Sequence, residues 1–176
     1  MGKKQIFDAT IISNRALSER YSMLTLRLPA SVGDMEVLPG QFVEIKVADS
    51  LSTYLRRPIS ICDYDSASRV MTLLIRRAGE GTDHLCNLPE GSGIDIVGPL
   101  GNGFSIPAAG STALLAGGGI GVAPLMLLGK KMKENGVTPR FLLGARTASE
   151  ILLAEEFAKI GDVAVSTDDG SAGEKG

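Results

Sequence analysis

Two hydrophobic periodicities divide the chain near residue 108. Before it, short runs rich in β-branched residues alternate apolar and polar positions at 6–13, 21–28, 42–47, 58–62, 70–76 and 94–97. Side chains of a strand alternate between two faces, so each run predicts a strand with one face in a core. Turn signals such as Leu38-Pro39-Gly40 and Pro89-Glu90-Gly91-Ser92-Gly93 separate them. The set predicts a six-stranded antiparallel Greek-key barrel, interrupted by one short helix at 82–87.

After Pro107-Ala108-Ala109-Gly110 the order becomes strand (112–116), glycine turn, helix (122–135), strand (140–144), helix (149–159) and strand (163–167). That βαβαβ order predicts the start of a doubly wound parallel sheet. The expected division is a barrel domain over 1–106 and an α/β domain over 107–176. With three strands the second domain is half of a usual nucleotide-binding sheet and leaves an exposed edge. Residues 168–176 read as a polar tail.

Composition narrows the function classes. The 176 residues carry a net charge of -2 and 5% aromatic residues with no Trp, which gives no electrostatic or stacking reason to seek nucleic acid. No apolar run reaches the length of a membrane span, and the apolar positions after Met1-Gly2-Lys3-Lys4 stop too soon for a signal peptide. Cytoplasmic residence is the expectation. Cys62 and Cys86 are too few for a zinc site or an iron–sulfur cluster and read as small buried thiols, while His84 has no second histidine nearby. No metal site is expected in this chain.

Three stretches carry candidate chemistry. In Arg56-Arg57-Pro58-Ile59-Ser60-Ile61, Arg57 offers a planar fork of donors to a phosphate, Pro58 holds Arg57 extended, and Ser60 shares a strand face with Pro58. A solvated basic pair at a strand start is the plainer alternative. Gly81 and Thr82, in Gly79-Glu80-Gly81-Thr82 ahead of the short helix, offer N–H and hydroxyl donors to a diphosphate, or else a simple N-cap. Gly117-Gly118-Gly119-Ile120-Gly121 joins a buried strand to a helix where side chains would block a diphosphate. Val122 breaks the usual third glycine of the dinucleotide fingerprint, and no Gly-Lys-Ser/Thr follows, so this is no P-loop. The plainer alternative there is close packing alone. Gly98-Pro99-Leu100-Gly101-Asn102-Gly103-Phe104 reads as a rigid corner with Phe104 filling a seam between the halves.

Taken in order with Gly144-Ala145-Arg146, these motifs resemble the ferredoxin reductase superfamily over most of the chain. The double arginine before Pro58, the Gly-Asn-Gly-Phe corner and Thr167-Asp168-Asp169-Gly170-Ser171 are most similar to the electron-transfer subunits of bacterial type 1B dihydroorotate dehydrogenase. The resemblance implies an FAD-binding barrel and an NAD-binding domain exchanging hydride in the cleft between them. It implies that Arg57, Pro58, Ile59 and Ser60 hold the FAD diphosphate and the flavin ring, with Leu74, Ile75 and Arg76 along the ribityl and adenine side and Gly81 and Thr82 completing the diphosphate site. It assigns Gly117, Gly118, Gly119, Ile120 and Gly121 to NAD(H), closed by Thr167 and Asp168, and assigns no catalytic acid or base.

The implied partner is a dihydroorotate dehydrogenase catalytic subunit carrying FMN, in a heterotetramer of pyrimidine biosynthesis. A [2Fe-2S] cluster belongs to the full-length family, but no cysteine follows Cys86 here, so the sequence reads as C-terminally truncated. Three other readings stay open: a ferredoxin or flavodoxin NADP reductase, which Arg146 does not exclude although Asp168 and Asp169 weigh toward NADH, a subunit of a sulfide- or hydrogenase-linked flavin oxidoreductase, and a truncated interaction module without cofactor.

Overall fold

A computed structural model describes residues 4–48 and 53–176; the N-terminal positions 1–3, read above for leader character, lie outside the described residues. The chain forms two compact units, Met1–Gly103 and Phe104–Gly176. In the first, all six alternating runs become strands: β1 (Gln5–Ala16), β2 (Tyr21–Arg27), β3 (Phe42–Ile45), β4 (Arg57–Asp65), β5 (Val70–Arg76) and β6 (Gly93–Leu100). They close into a barrel in the order β1-β2-β5-β4-β3-β6, every neighbouring pair antiparallel. The alternation is what fills it. Leu24, Leu26, Ile45, Ile61, Leu73 and Ile96 are fully buried, and closure joins the first and last strands of the sheet.

Helix α1 (Glu80–Asn87) connects β5 to β6 and begins two residues earlier than the pattern indicated. Its last carbonyls are orphans of the helical ladder, and β1 satisfies two of the groups there: the Asn14 amide donates to the carbonyls of Leu85 (3.1 Å) and Leu88 (2.9 Å). Gly98-Pro99-Leu100, expected in a corner, instead belongs to β6. The reason is steric: a Cβ at Gly98 would stand 2.7 Å from Val43 Cγ1, so glycine lets β6 lie close against β3. Phe104, expected to fill a seam, is 48% exposed.

The second unit has β7 (Thr112–Gly118), α2 (Ala123–Glu134), β8 (Thr138–Ala145), α3 (Ala154–Ala158), β9 (Asp162–Thr167) and β10 (Glu174–Lys175). Its sheet runs β10-β9-β8-β7, all parallel, so it has four strands where the sequence indicated three. Strands added successively in one direction put their right-handed crossovers on one face. Phe141 of β8 accordingly meets both helices, lying against Gly129 of α2 and packing at a 49° tilt on Phe157 of α3 with ring centroids 4.7 Å apart.

Two expectations for this unit need correction. The helix predicted over 149–159 is broken: a 3-10 turn spans Ala148–Glu150, and α3 starts only after Leu153, whose φ is 58°. Leu152 and Leu153 are both buried, so packing of these two side chains overrides the helix-forming residues around them. The polar tail is also ordered. Thr167 is wholly buried, its hydroxyl donates to the Ala172 carbonyl (2.7 Å) and accepts the Ala172 N–H (3.1 Å), and the chain turns back to place β10 beside β9.

Candidate functional site

The barrel gathers the first set of candidate residues at a split in its wall. Strand β4 pairs with β5 from Asp65/Val70 as far as Ile61/Leu73, and beyond that point the two diverge. Residues 57–60 keep only their pairing with β3, from Ile45/Arg57 to Phe42/Ser60, while 74–76 keep only their pairing with β2, from Met23/Leu74 to Tyr21/Arg76. Among the described residues no ladder pair joins Ser60 to Leu74. Two backbone edges thus face each other with hydrogen-bonding capacity left over, a place where a flat polar ligand edge can be accommodated. Leu74 and Ile75 are 2% and 0% exposed, so any ligand contact there runs through their backbone; Arg76 is exposed.

Arg57 stands at the mouth of that split. Its Nε is buried without a hydrogen-bond partner. Leaving such a donor unpaired costs about 1–3 kcal/mol, and more for a charged group. Its aliphatic stem lies along the first turn of α1: a Cβ at Gly81 would come within 3.0 Å of Arg57 Cδ and 3.1 Å of Thr53 Cγ2. Glycine at 81 is what lets the arginine and the helix start share this space. Thr82 plays a different part from the one expected of its hydroxyl. That group accepts the Ala78 N–H (2.8 Å) and donates to the Gly79 carbonyl (2.9 Å), closing the loop ahead of α1, so its proton is already committed.

Arg56 has a partner of its own. Its Nη1 and Nη2 donate to Asp95 Oδ1 (2.8 Å) and Oδ2 (3.0 Å), and hydrogen bonding to this carboxylate raises the arginine above its ordinary pKa. The two arginines are therefore unlike: Arg56 is engaged by Asp95, while among the described residues Arg57 Nε has no partner. Sequence reasoning missed Asp95, a polar residue on a strand with no local signal of its role. It also missed Gln41, 4% exposed, which accepts the Leu38 N–H (2.8 Å) and donates to the Gly101 carbonyl (3.0 Å). The Gln41 carbonyl accepts the Ile61 N–H (3.0 Å), so this one residue ties the end of β6 to the β4 residue at which the split begins.

In the second unit the candidates collect at the carboxyl ends of parallel strands, where open α/β sheets bind ligands. Gly118 of β7 is in register with Gly144 of β8, and Ala145 with Thr167 of β9. The glycines differ in what requires them. A Cβ at Gly117 would stand 2.9 Å from Leu125 Cδ1, and Gly119 has φ 51°, so internal packing and backbone conformation account for these two. At Gly121 a Cβ would meet nothing within 4 Å. No internal contact demands glycine there, and the space it leaves is open to a ligand approaching the α2 N-terminus. Gly118 and Ile120 complete the turn, which is a 3-10 segment over Gly119–Val122 rather than the first turn of α2. Thr167 is buried with its hydroxyl engaged, whereas Asp168 and Arg146 are exposed at this edge. Bonds from Ser171 hold the neighbouring Asp169 carboxyl below the usual carboxylate range.

Comparison with known proteins bears on both sets. The family profile described as oxidoreductase FAD-binding domain matches residues 8–104. The dihydroorotate dehydrogenase B (NAD(+)) electron transfer subunit of Bacillus caldolyticus is 46% identical over 171 residues, covering 95% of this chain and 65% of that protein. The subunit of the same name from Bacillus pumilus (strain SAFR-032) is 40% identical with the same coverage. The chain thus spans 65% of the length of these relatives. Among solved structures, an NADH-dependent reduced ferredoxin–NADP oxidoreductase studied for flavin-based electron bifurcation superposes with TM-score 0.83 at 32% identity, over 96% of this chain and 59% of that one. The ferredoxin reductase of a carbazole 1,9a-dioxygenase has the same fold, with TM-score 0.83 at 21% identity, over 98% of this chain and 54% of the other. The fold is ferredoxin reductase-like, and the chain belongs to the oxidoreductase FAD-binding domain family.

Proposed function

We propose that this chain is the FAD- and NAD-binding portion of an electron-transfer subunit, passing electrons between NAD and a dihydroorotate dehydrogenase catalytic subunit that carries FMN. The observation that carries the flavin half of this reading is the buried, unpartnered Arg57 Nε beside Gly81 at the start of α1. A phosphate placed there relieves an unpaired donor and meets the N–H groups that a helix start leaves free. The split between 57–60 and 74–76 receives the ring and ribityl end, with Pro58, Ile59 and Ser60 on one side and the backbone of Leu74 and Ile75 with Arg76 on the other. Bound FAD supplies a carrier able to exchange both one and two electrons. The chain's own residues orient it; none is needed as an acid or base. Gly121 and the carboxyl edge formed by Gly118, Gly144 and Asp168 receive the nicotinamide dinucleotide.

The relatives' name, an electron transfer subunit of a dihydroorotate dehydrogenase, supports a catalytic partner subunit; a place in pyrimidine biosynthesis, a heterotetramer and the cytoplasm belong to the same proposal. No helix among the described residues is long and apolar enough to cross a membrane. The residues present do not fit a [2Fe-2S] cluster: the sequence has two cysteines, Cys62 and Cys86, both buried. No step is assigned through one. A reductase using NADP is the second reading, favoured by exposed Arg146 just past the end of β8, where a ribose 2′-phosphate could be met.

The test uses the protein stripped of flavin. Added FAD is expected to bind, and NADH to bleach the bound flavin's absorbance faster than NADPH does; an FMN-bearing dihydroorotate dehydrogenase catalytic subunit is expected to co-purify. Protein that takes up no FAD would overturn the reading, and faster bleaching by NADPH would select the reductase.

A further inference from the structure

Arg56 reaches across a strand. Strands β4 and β6 are not neighbours in the barrel, because β3 lies between them, with Ile45 paired to Arg57 on one side and Ile96 on the other. Arg56, one residue before β4, spans the end of β3 to Asp95 of β6. It makes both fork bonds to the carboxylate and a third, at 3.2 Å, to the Asp95 carbonyl, which also accepts the Lys46 N–H just beyond β3 (3.0 Å). The ion pair is 26% and 32% exposed at its two side chains, so it is half-withdrawn from solvent and bidentate, unlike the loose surface pairs that contribute little.

Tyr54 and Leu55, which lead to it, are 87% and 74% exposed. On the far side, Pro58 restricts Arg57 to extended backbone. Arg57, whose backbone pairs with Ile45 of β3, is thus also constrained by its two neighbours, one through a proline ring and one through an ion pair. We propose that the Arg56–Asp95 pair is a positioning clamp that holds Arg57 at the mouth of the split for a dinucleotide diphosphate. This rests on the flavin reading above, and it makes Arg56 and Asp95 determinants of FAD affinity that touch no part of the FAD.

A double-mutant cycle tests it, read as the FAD dissociation constant from quenching of flavin fluorescence, with melting temperature measured alongside. Asp95→Asn keeps the shape of the side chain and removes its charge. In the otherwise unchanged protein it is expected to raise the FAD Kd about tenfold, a coupling of ordinary size for residues that act together. In an Arg57→Gln background the same substitution is expected to change Kd less than about twofold, because the group being positioned is gone. Equal effects in the two backgrounds overturn the clamp, and so does an unchanged Kd accompanied by a lower melting temperature, which is what a merely stabilising pair would give. If Asp95→Asn does not fold, Arg56→Lys, which loses the fork but keeps the charge, is put through the same cycle with the same outcomes. Unsubstituted protein that binds no FAD removes the flavin reading and the clamp together, whereas binding with equal effects removes the clamp alone.

Discussion

The two units solve the same problem, burial of a sheet, with different completeness. The barrel closes on itself apart from the split between 57–60 and 74–76, and its strands bury one face in a shared interior. The parallel sheet has helices on one face only. On the other, Leu114 is 70% exposed and Leu142 37%, with exposed Ala116 and Ala164 in register with Leu142 between them. Parallel sheets are usually covered on both faces, so here the hydrophobic pattern asks for more than these residues supply. The contrast teaches where unsatisfied capacity sits. Among the described residues of the barrel it sits in single buried polar atoms, Asn14 Oδ1, Ser22 Oγ, Arg57 Nε and Tyr64 OH, and in the sheet it is a face.

The largest effect that can break this comparison is a pair of leucine truncations. Leu24→Ala removes a fully buried side chain from the barrel and is expected to cost about 2–5 kcal/mol. Leu114→Ala on the bare face is expected to stay within about 0.5 kcal/mol. Urea unfolding followed by circular dichroism measures both, and similar losses would mean that the face is covered in solution.

A smaller effect sharpens it within the second unit. Gly117→Ala presses on Leu125 and is expected to cost about 1–3 kcal/mol, while Gly121→Ala places its methyl in open space and leaves stability unchanged within about 0.5 kcal/mol. Gly121→Ala should instead weaken NADH binding, measured by calorimetry. Undiminished binding would leave the glycine at 121 without the ligand role assigned to it.

The barrel was legible in the sequence because each strand alternates locally and the core follows from that alternation, as Leu24 and Leu26 illustrate. What stayed hidden depended on contacts between distant positions. Nothing near Arg56 marks Asp95 as its partner, 39 residues away, and nothing near Gln41 marks the Gly101 carbonyl. The break before α3 was hidden for a related reason: Glu150 and Glu155 favour a helix, but burial of Leu152 and Leu153 decides the backbone. The tail misled through composition. Asp168-Asp169-Gly170-Ser171 reads as solvated, yet Asp169 accepts both the Ser171 N–H (2.9 Å) and its hydroxyl (2.6 Å), and the Ser171 oxygen accepts the Ala148 N–H (2.7 Å). Of the candidate site, the residue types and their order were readable, and the proline singled out Arg57, which alone directly precedes it; that Arg56 is bound to Asp95 was not legible, because that partner lies 39 residues away.

The smallest expected effect separates the units by pH. Residues 104–176 contain no cysteine, tyrosine or histidine, so the barrel alone holds side chains of those types. Burial pushes the Cys86 thiol up, only partly offset by the neighbouring Ser22 hydroxyl and the Arg77 charge. An unfolded cysteine ionises at about pH 8.5. Below that value the thiol is protonated in both states and contributes no slope. Above it the unfolded chain loses the proton while the folded barrel retains it, so stability declines as pH rises from there toward the folded pKa. Tyr64, raised by burial in the same way, extends the decline above about pH 10. Urea midpoints at pH 7.5 and 9.5 are expected to fall for the unsubstituted protein and to fall less for Cys86→Ala. If the two proteins lose the same amount over that interval, the alkaline sensitivity does not come from this thiol.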